Sequence, residues 1–118
     1  MISPRRGEVW MVDFGEPIGH EQGLRRPAVV VSADRLNRSR AGLSIVVPVT
    51  RTRRGLPSHV ELAPGGIGLR ETSYAKVEDV KVEDVKSVSQ QRFDHRLGVV
   101  GPDHLLRMTE ALKFLLEI

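Results

Sequence analysis

Short apolar runs, each bordered on at least one side by glycine or proline, limit the folds open to this chain more than any other feature of its sequence. They cover residues 9–14, 27–32, 44–50 and 58–62 and are rich in valine and other β-branched or aromatic residues. Runs of this length and composition between turn-forming residues predict β-strands. The first half of the chain is therefore predicted to form a sheet of short strands.

The segments between these runs predict loops and turns. Residues 15–23 are polar and contain glycine and proline, which predicts a long hairpin loop, and the glycines of residues 65–68 predict a tight turn. Residues 34–40 are polar and can hold one helical turn at most. Pro48 lies inside the third run, and because proline donates no hydrogen bond to a neighbouring strand, it predicts an edge strand or a bulge.

The clearest helical periodicity lies near the end of the sequence. Pro102 suits the first position of a helix because its fixed φ angle is helical. Apolar side chains then recur at helical spacing, at Leu105, Met108, Leu112 and Leu115. A shorter helix is predicted at residues 90–95, with Ser89 as its N-cap. Short strands followed by one amphipathic helix predict a mainly β fold with α, a small bent sheet or barrel packed by that helix.

A tandem duplication lies before these helices, in which the pentapeptide Val-Glu-Asp-Val-Lys at residues 77–81 is repeated at residues 82–86. A period of five matches neither the repeat of a strand nor that of a helix. We expect one copy to complete a strand and the other to form a turn or extension, so that deletion of residues 82–86 is tolerated. Its carboxylates are expected to be mostly solvated: Glu78, Asp79, Glu83 and Asp84.

Composition excludes several classes of protein and site. A chain of 118 residues fits one domain, taken as residues 1–118. The absence of cysteine rules out disulfides, thiolate zinc sites and cysteine nucleophiles. The histidines follow no metal-ligand spacing, and no phosphate-binding loop or serine-nucleophile motif occurs, so we expect no metal and no cofactor. Without a run of about 18 apolar residues, the expected location is the cytoplasm and not a membrane.

Positive charge is concentrated in the first half of the chain. Residues 1–54 contain ten arginines, no lysine and five acidic residues. Guanidinium groups bind phosphate oxygens in bidentate geometry and stack on bases, although an arginine-rich genome would produce the same bias. The charge pattern alone therefore leaves both explanations open.

Two polar residues stand at predicted strand ends, where a rigid sheet can hold them beside a loop that binds a ligand. Arg26 directly precedes the second strand, and Thr50 ends the third strand before a basic loop. One interpretation makes both of them part of a functional site. The other makes Arg26 an ion-pair partner of Glu21 or a solvated residue at the strand end, and Thr50 the first residue of a turn.

Five sequence blocks, in this order and spacing, resemble the MazF/PemK/Kid family of toxins from toxin–antitoxin systems. They are Arg-Arg-Gly-Glu-Val-Trp at 5–10, Gly-His-Glu-Gln-Gly at 19–23 leading to Arg-Pro-Ala-Val-Val-Val at 26–31, Val-Pro-Val-Thr at 47–50, Leu-Pro-Ser-His-Val-Glu-Leu at 56–62 and Glu-Ala-Leu at 110–112. Together they span nearly the whole chain. Two departures are His20, where the family commonly has serine, and the second copy of the pentapeptide.

The resemblance implies a small SH3-like barrel of the CcdB/PemK type, with five to seven strands, that forms a homodimer. It implies a metal-independent endoribonuclease that cuts single-stranded messenger RNA at short motifs by attack of the 2′-hydroxyl, and so inhibits translation and growth. The family's catalytic arginine and threonine fall on Arg26 and Thr50. A MazE-like antitoxin with an acidic, disordered C-terminal tail would neutralise the toxin and would link the complex to DNA.

Further residues are predicted to bind RNA, with loop side chains meeting base edges and basic side chains meeting phosphates. These candidates are His20, Glu21 and Gln22 in the loop, Arg25, Arg51, Arg53 and Arg54 near the strand ends, and His59 on the fourth strand. The general base is left unassigned, because arginine is a poor base near neutral pH and a histidine on an alternating strand is more often structural.

Two other functions stay open at the level of sequence. One is a protein-directed poison similar to the gyrase inhibitor CcdB, which needs no catalytic pair. The other is an SH3-like module that binds RNA without cleaving it. Incubation of the purified protein with RNA in EDTA distinguishes the three functions, because only the ribonuclease cuts RNA and the binding module retains RNA without cutting it.

Overall fold

Seven antiparallel strands form one sheet in the computed structural model, which describes residues 3–15, 25–84 and 93–118. The strands are β1 (Glu8–Asp13), β2 (Arg25–Val30), β3 (Leu43–Thr50), β4 (His59–Leu62), β5 (Ser73–Lys76), β6 (Lys81–Asp84) and β7 (Phe93–Val99). A one-turn helix α1 (Asp34–Asn37) follows β2, a 3-10 turn (Val77–Asp79) follows β5, and α2 (Pro102–Leu116) follows β7. The predicted mainly β fold with a C-terminal helix is confirmed.

The strands lie in the order β4-β5-β3-β2-β1-β7, and β6 pairs with the first half of β3. The turn after β4 brings the sheet round towards β7, where Val99 N–H donates to the carbonyl of Gly66 at 3.5 Å. Gly68 has a φ of +78°, and a Cβ there would lie 2.0 Å from the carbonyl oxygen of Leu97. Only glycine fits this approach, so the predicted glycine turn at residues 65–68 is where the two ends of the sheet meet.

One predicted helix is wrong. Residues 93–95, expected to end a helix that begins at residue 90, belong to β7, and Phe93 pairs with Val12 of β1. The Phe93 ring is buried and meets Trp10 edge-on, with ring centroids 5.8 Å apart. This packing across strands outweighs the local polar pattern, because strand formation depends on neighbours more than on intrinsic preference. The predicted cap, Ser89, lies outside the described residues.

The expectation of an edge strand or a bulge at Pro48 is also wrong, because β3 lies between β2 and its other partners and its register with β2 shows no shift at Pro48. The Val31 N–H bonds the Ile45 carbonyl at 2.9 Å, and alternation from this pair makes Ala28 and Pro48 a non-hydrogen-bonded pair. The N–H that proline lacks would therefore face away from β2. On the other side of β3, the pairing with β6 extends as far as Val46 and the pairing with β5 starts at Val49. Pro48 therefore lies in the gap between the two partner strands.

Two apolar clusters form because successive side chains of a strand point to opposite faces of the sheet. Val29 and Val47 belong to the larger cluster, which Met108 of α2 completes. Val30 and Val46 belong to the second cluster. Helix α2 thus covers one face of the sheet, and in the described ranges neither helix is long and apolar enough to cross a membrane.

The two copies of the pentapeptide adopt different structures, as expected. The first copy forms the 3-10 turn, in which Val77 is fully buried and its N–H donates to the carbonyl of Ser58 at 3.1 Å. The second copy continues β6, which pairs residues 81–84 with residues 43–46 of β3. Both copies are used by the fold, which argues against the expectation that residues 82–86 are dispensable.

Glu78 ties the 3-10 turn to β4. Its carboxylate accepts hydrogen bonds from the Ser58 hydroxyl and from Nε2 of His59, both at 2.9 Å. Burial alone would raise the pKa of Glu78, but the hydrogen bonds from His59, its own backbone and Ser58 outweigh it, so the pKa lies below its ordinary value. The ionised carboxylate therefore stabilises the folded state.

Deleting residues 82–86 should lower stability. The copies are identical, so deletion of either one gives the same chain, and its single pentapeptide cannot form both the turn and β6. Loss of the buried Val77 side chain alone would cost about 2 kcal/mol, to which the lost strand pairing adds. Urea unfolding followed by circular dichroism measures the difference, and unchanged stability would show that one copy suffices.

The stability of the protein should fall in acid through Glu78. A carboxylate whose pKa is lowered by folding stabilises above its unfolded value of about 4.3, and this stabilisation is lost as pH falls through the folded pKa. The Glu78→Gln variant should therefore lose less stability than the parent when pH is lowered from about 5 to about 3. Glu61→Gln, an exposed change on β4, is the matched control, and parallel pH curves for parent and Glu78→Gln would contradict the assignment.

Candidate active site

A cleft of about 450 Å³ opens where β2 begins and β3 ends, with the segment before β5 as its third wall. Basic, polar and apolar side chains line it: Arg25, Arg26, Pro27, Val49, Thr50, Arg51, Leu69, Arg70, Glu71 and Ser73. It thus contains both residues predicted to be catalytic. Four of its lining residues are arginines, against one carboxylate, so the cleft is suited to a polyanion.

The pairing of β2 with β3 brings Arg26 and Thr50 together. Ala28 pairs with Pro48 and Val30 with Val46, and this register, continued by two residues, puts Arg26 opposite Thr50. On its other side Arg26 pairs with Val12 of β1. Both predicted residues are therefore held by paired backbone at the same end of the sheet.

Arg26 is partly buried, and this changes its acidity. Burial lowers the pKa of its guanidinium from the ordinary value, while the negative charge of Asp79 acts in the opposite direction. Desolvation disfavours the charged form of a base, so Arg26 gives up a proton more readily than an arginine in water. The same group offers two parallel N–H donors to a phosphate.

Thr50 is buried, with 6% of its surface exposed. Its Oγ1 accepts a hydrogen bond from the Thr52 N–H at 3.2 Å. The accepted bond uses a lone pair of the oxygen, so the hydroxyl hydrogen can still donate to a ligand. The bond also restrains the position of the hydroxyl oxygen, which makes Thr50 a positioned donor among the residues that line the cleft.

Two of the predicted RNA-binding arginines lie at the rim of this cleft. Arg25 forms an ion pair with Asp94 at the beginning of β7, and Arg51 Nη1 lies 3.6 Å from Oε2 of Glu71. Both arginine side chains are more than half exposed. Exposed ion pairs of this kind contribute little to stability, so these side chains stay available to a ligand.

Of the other predicted RNA-binding residues, those that the structure describes do not line this cleft. Arg53 and Arg54 are exposed in the loop after β3 and are not among the lining residues. The loop residues fall outside the described residues: His20, Glu21 and Gln22. His59 has a side chain only 2% exposed, bonds Glu78, and lines a separate groove between β4 and α2.

Three polar lining residues were not predicted from the sequence: Arg70, Glu71 and Ser73. They reach the cleft because β5 pairs Tyr74 with Thr50, which carries the preceding segment across the end of β3. No local pattern encodes that pairing. Among the described side chains, no group of three or more histidines and carboxylates is arranged to hold a metal ion.

Comparisons with known proteins give one consistent result. A family model described as PemK-like, MazF-like toxin of type II toxin-antitoxin system matches residues 5–116. Endoribonuclease MazF9 of Mycobacterium tuberculosis is 36% identical over 119 residues, which cover 97% of each protein. A crystal structure of MazF from Deinococcus radiodurans superposes with a TM-score of 0.82 at 30% identity over 100% of both chains. A MazE–MazF structure from the same organism superposes with a TM-score of 0.78 at 29% identity, over 100% of this chain and 99% of that one.

The family model covers nearly the whole sequence, including both strands that carry Arg26 and Thr50. The similarity in fold extends over the same length. The resemblance seen in the sequence blocks is therefore confirmed, and the chain belongs to the family of PemK-like, MazF-like toxins of type II toxin–antitoxin systems.

Proposed function

We propose that this toxin cleaves single-stranded RNA in the cleft that holds Arg26 and Thr50. It is an endoribonuclease, as are the curated relatives named MazF, EndoA and PemK. The observation that carries the proposed site is the position of a partly buried arginine opposite an oriented hydroxyl, in a cleft with three more arginines. A protein-directed poison would need neither feature.

RNA supplies its own nucleophile, the 2′-hydroxyl. The enzyme therefore has to align that oxygen with the phosphorus, stabilise the charge of the transition state and transfer protons. The 2′-oxygen attacks the adjacent phosphorus, the bond from phosphorus to the 5′-oxygen breaks, and the products carry a 2′,3′-cyclic phosphate and a 5′-hydroxyl. Arg26 donates two hydrogen bonds to the non-bridging oxygens, on which negative charge increases in the transition state. Thr50 donates a further hydrogen bond to the same phosphate and fixes its position.

Proton transfer to the leaving 5′-oxygen is the second role that we propose for Arg26. Burial lowers the pKa of its guanidinium, which is the direction that makes it a better proton donor. We assign no residue as the general base that takes the proton of the 2′-hydroxyl.

The remaining contacts with RNA follow from the charges around the cleft. Arg25, Arg51 and Arg70 are proposed to bind the flanking phosphates. Arg53 and Arg54 extend this basic surface, and the loop residues His20, Glu21 and Gln22, which precede Arg25 in the chain, are proposed to read base edges. We leave His59 out of the RNA site, because its buried side chain is engaged with Glu78.

Two protein partners are part of the proposal. A MazE–MazF structure is among those similar to this chain, which supports a MazE-like antitoxin. An indirect link to DNA through that antitoxin is a further part of the proposal. An acidic, disordered tail would order itself along the arginine-lined cleft by charge complementarity. We further propose a homodimer that acts on messenger RNA in the cytoplasm, stopping translation and growth.

The first test measures RNA cleavage in EDTA by the parent and by variants at the two catalytic positions. Arg26→Ala and Thr50→Val should each lower kcat by about 100-fold or more, because each removes a donor to the transition state. Thr50→Ser keeps the hydroxyl and should retain most of the activity. Circular dichroism and size-exclusion chromatography check that the variants are folded with an unchanged oligomeric state.

Arg35→Ala is the matched control, because Arg35 is an exposed arginine of α1 and does not line the cleft. It should cleave at the parent rate. Cleavage by folded Arg26→Ala or Thr50→Val at nearly the parent rate would overturn the site. RNA that is bound but left intact by the parent would overturn the activity.

The second test concerns the antitoxin tail. A synthetic peptide with the acidic C-terminal sequence of the antitoxin encoded beside this toxin should inhibit cleavage, and inhibition should weaken as salt is raised. A scrambled peptide of equal charge is the control, measured with a fluorescent RNA substrate. Tight binding of the tail with undiminished cleavage would contradict its placement in the cleft.

A further inference from the structure

Among the described residues that line the cleft, Glu71 is the one carboxylate, and four of the other lining residues are arginines. A negative charge next to a phosphate-binding site lowers the affinity for RNA, because it opposes the field that attracts the backbone. Its side chain is 65% exposed, so it faces the space that a ligand would enter. An acidic residue in this position calls for a role other than binding phosphate.

The main chain of Glu71 is fixed more firmly than that of a typical loop residue. The buried Ser73 hydroxyl donates a hydrogen bond to the Glu71 carbonyl at 3.0 Å. On the other side, Leu69 packs against the larger apolar cluster, and Gly68 lies against the backbone of Leu97. Glu71 therefore lines the cleft from an anchored backbone.

The contact with Arg51 positions the Glu71 side chain but leaves hydrogen-bond acceptor positions of its carboxylate free. Arg51 Nη1 lies 3.6 Å from Glu71 Oε2, a loose ion pair between two exposed groups. A carboxylate offers about four acceptor positions on two oxygens, so Glu71 can face Arg51 and still accept from a ligand. An ionised carboxylate accepts hydrogen bonds and donates none.

We propose that Glu71 is a specificity-determining residue that selects a base with amino donors, guanine above all, beside the phosphate held by Arg26. Bases in single-stranded RNA expose their Watson–Crick edges to protein side chains. Guanine presents two adjacent donors there, N1–H and the N2 amino group, which match the two carboxylate oxygens. Cytosine and adenine present one amino group each, and uracil presents a single N3–H flanked by two carbonyl oxygens that the carboxylate repels. This inference rests on the proposed ribonuclease function.

The experiment compares the parent with Glu71→Gln, in EDTA, on matched RNA oligonucleotides. Sequencing of the 5′ ends that each protein produces from a long RNA first gives the bases around its cut sites. Oligonucleotides that differ only in the preferred base then give kcat/KM for each of the four bases. The parent should prefer guanine at one position beside the cut by about tenfold to a hundredfold.

Glu71→Gln should lose this preference and favour adenine, because an amide pairs with adenine through one donor and one acceptor. Glu61→Gln is the control, since Glu61 is an exposed carboxylate of β4 outside this cleft, and its preference should match the parent's. If the Glu71→Gln preference also matches the parent's, Glu71 only anchors Arg51 and the inference is overturned. A parent without preference for an amino-bearing base, or a folded Glu71→Gln that cuts no substrate, also overturns it. A parent that cuts no RNA refutes the proposed function itself.

Discussion

The antiparallel pairing of β2 with β3 is the constraint on which the candidate site depends. Val29, Val30, Val46 and Val47 are fully buried on the two faces of these strands, and burial of each contributes about 1.5–3 kcal/mol. A slip of one residue would exchange the faces to which these valines point. The register that buries the valines is also the one that puts Arg26 opposite Thr50. The apolar core thus determines the geometry of a polar site at its edge.

The other side of β3 is shared by two strands, and this division shapes the rest of the cleft. β6 pairs with its first half and β5 with its last two residues, and Pro48 lies where the partner changes. Because β5 reaches only the end of β3, the segment that precedes it crosses the mouth of the cleft and contributes Arg70 and Glu71. The 3-10 turn that separates β5 from β6 is tied to β4 through Glu78 and His59.

Sequence patterns predicted the elements whose signals are local. The valine-rich run of β3 and the helical spacing in α2 are examples, and Arg26 and Thr50 were identified from family blocks at strand ends. Contacts between distant segments were not predictable in this way. Phe93 lies in a strand because β1 and Trp10 are beside it, and Glu71 reaches the cleft because Tyr74 pairs with Thr50. His59, chosen for its chemistry, is buried against a turn that no spacing rule associates with it.

The identical pentapeptides have a consequence for how this part of the chain folds. One sequence forms a 3-10 turn at residues 77–79 and continues a strand at residues 82–84, so its intrinsic preference cannot decide between the two structures. The decision comes from the neighbours, β4 for the first copy and β3 for the second. If the repeat were shifted by five residues relative to β3 and β4, it would present the same five side chains to each of these neighbours. The native and the shifted alignments therefore differ only in the segments that flank the repeat. Folding here therefore includes a choice between near-degenerate alignments, and the anchored strand β5 resolves it from outside the repeat.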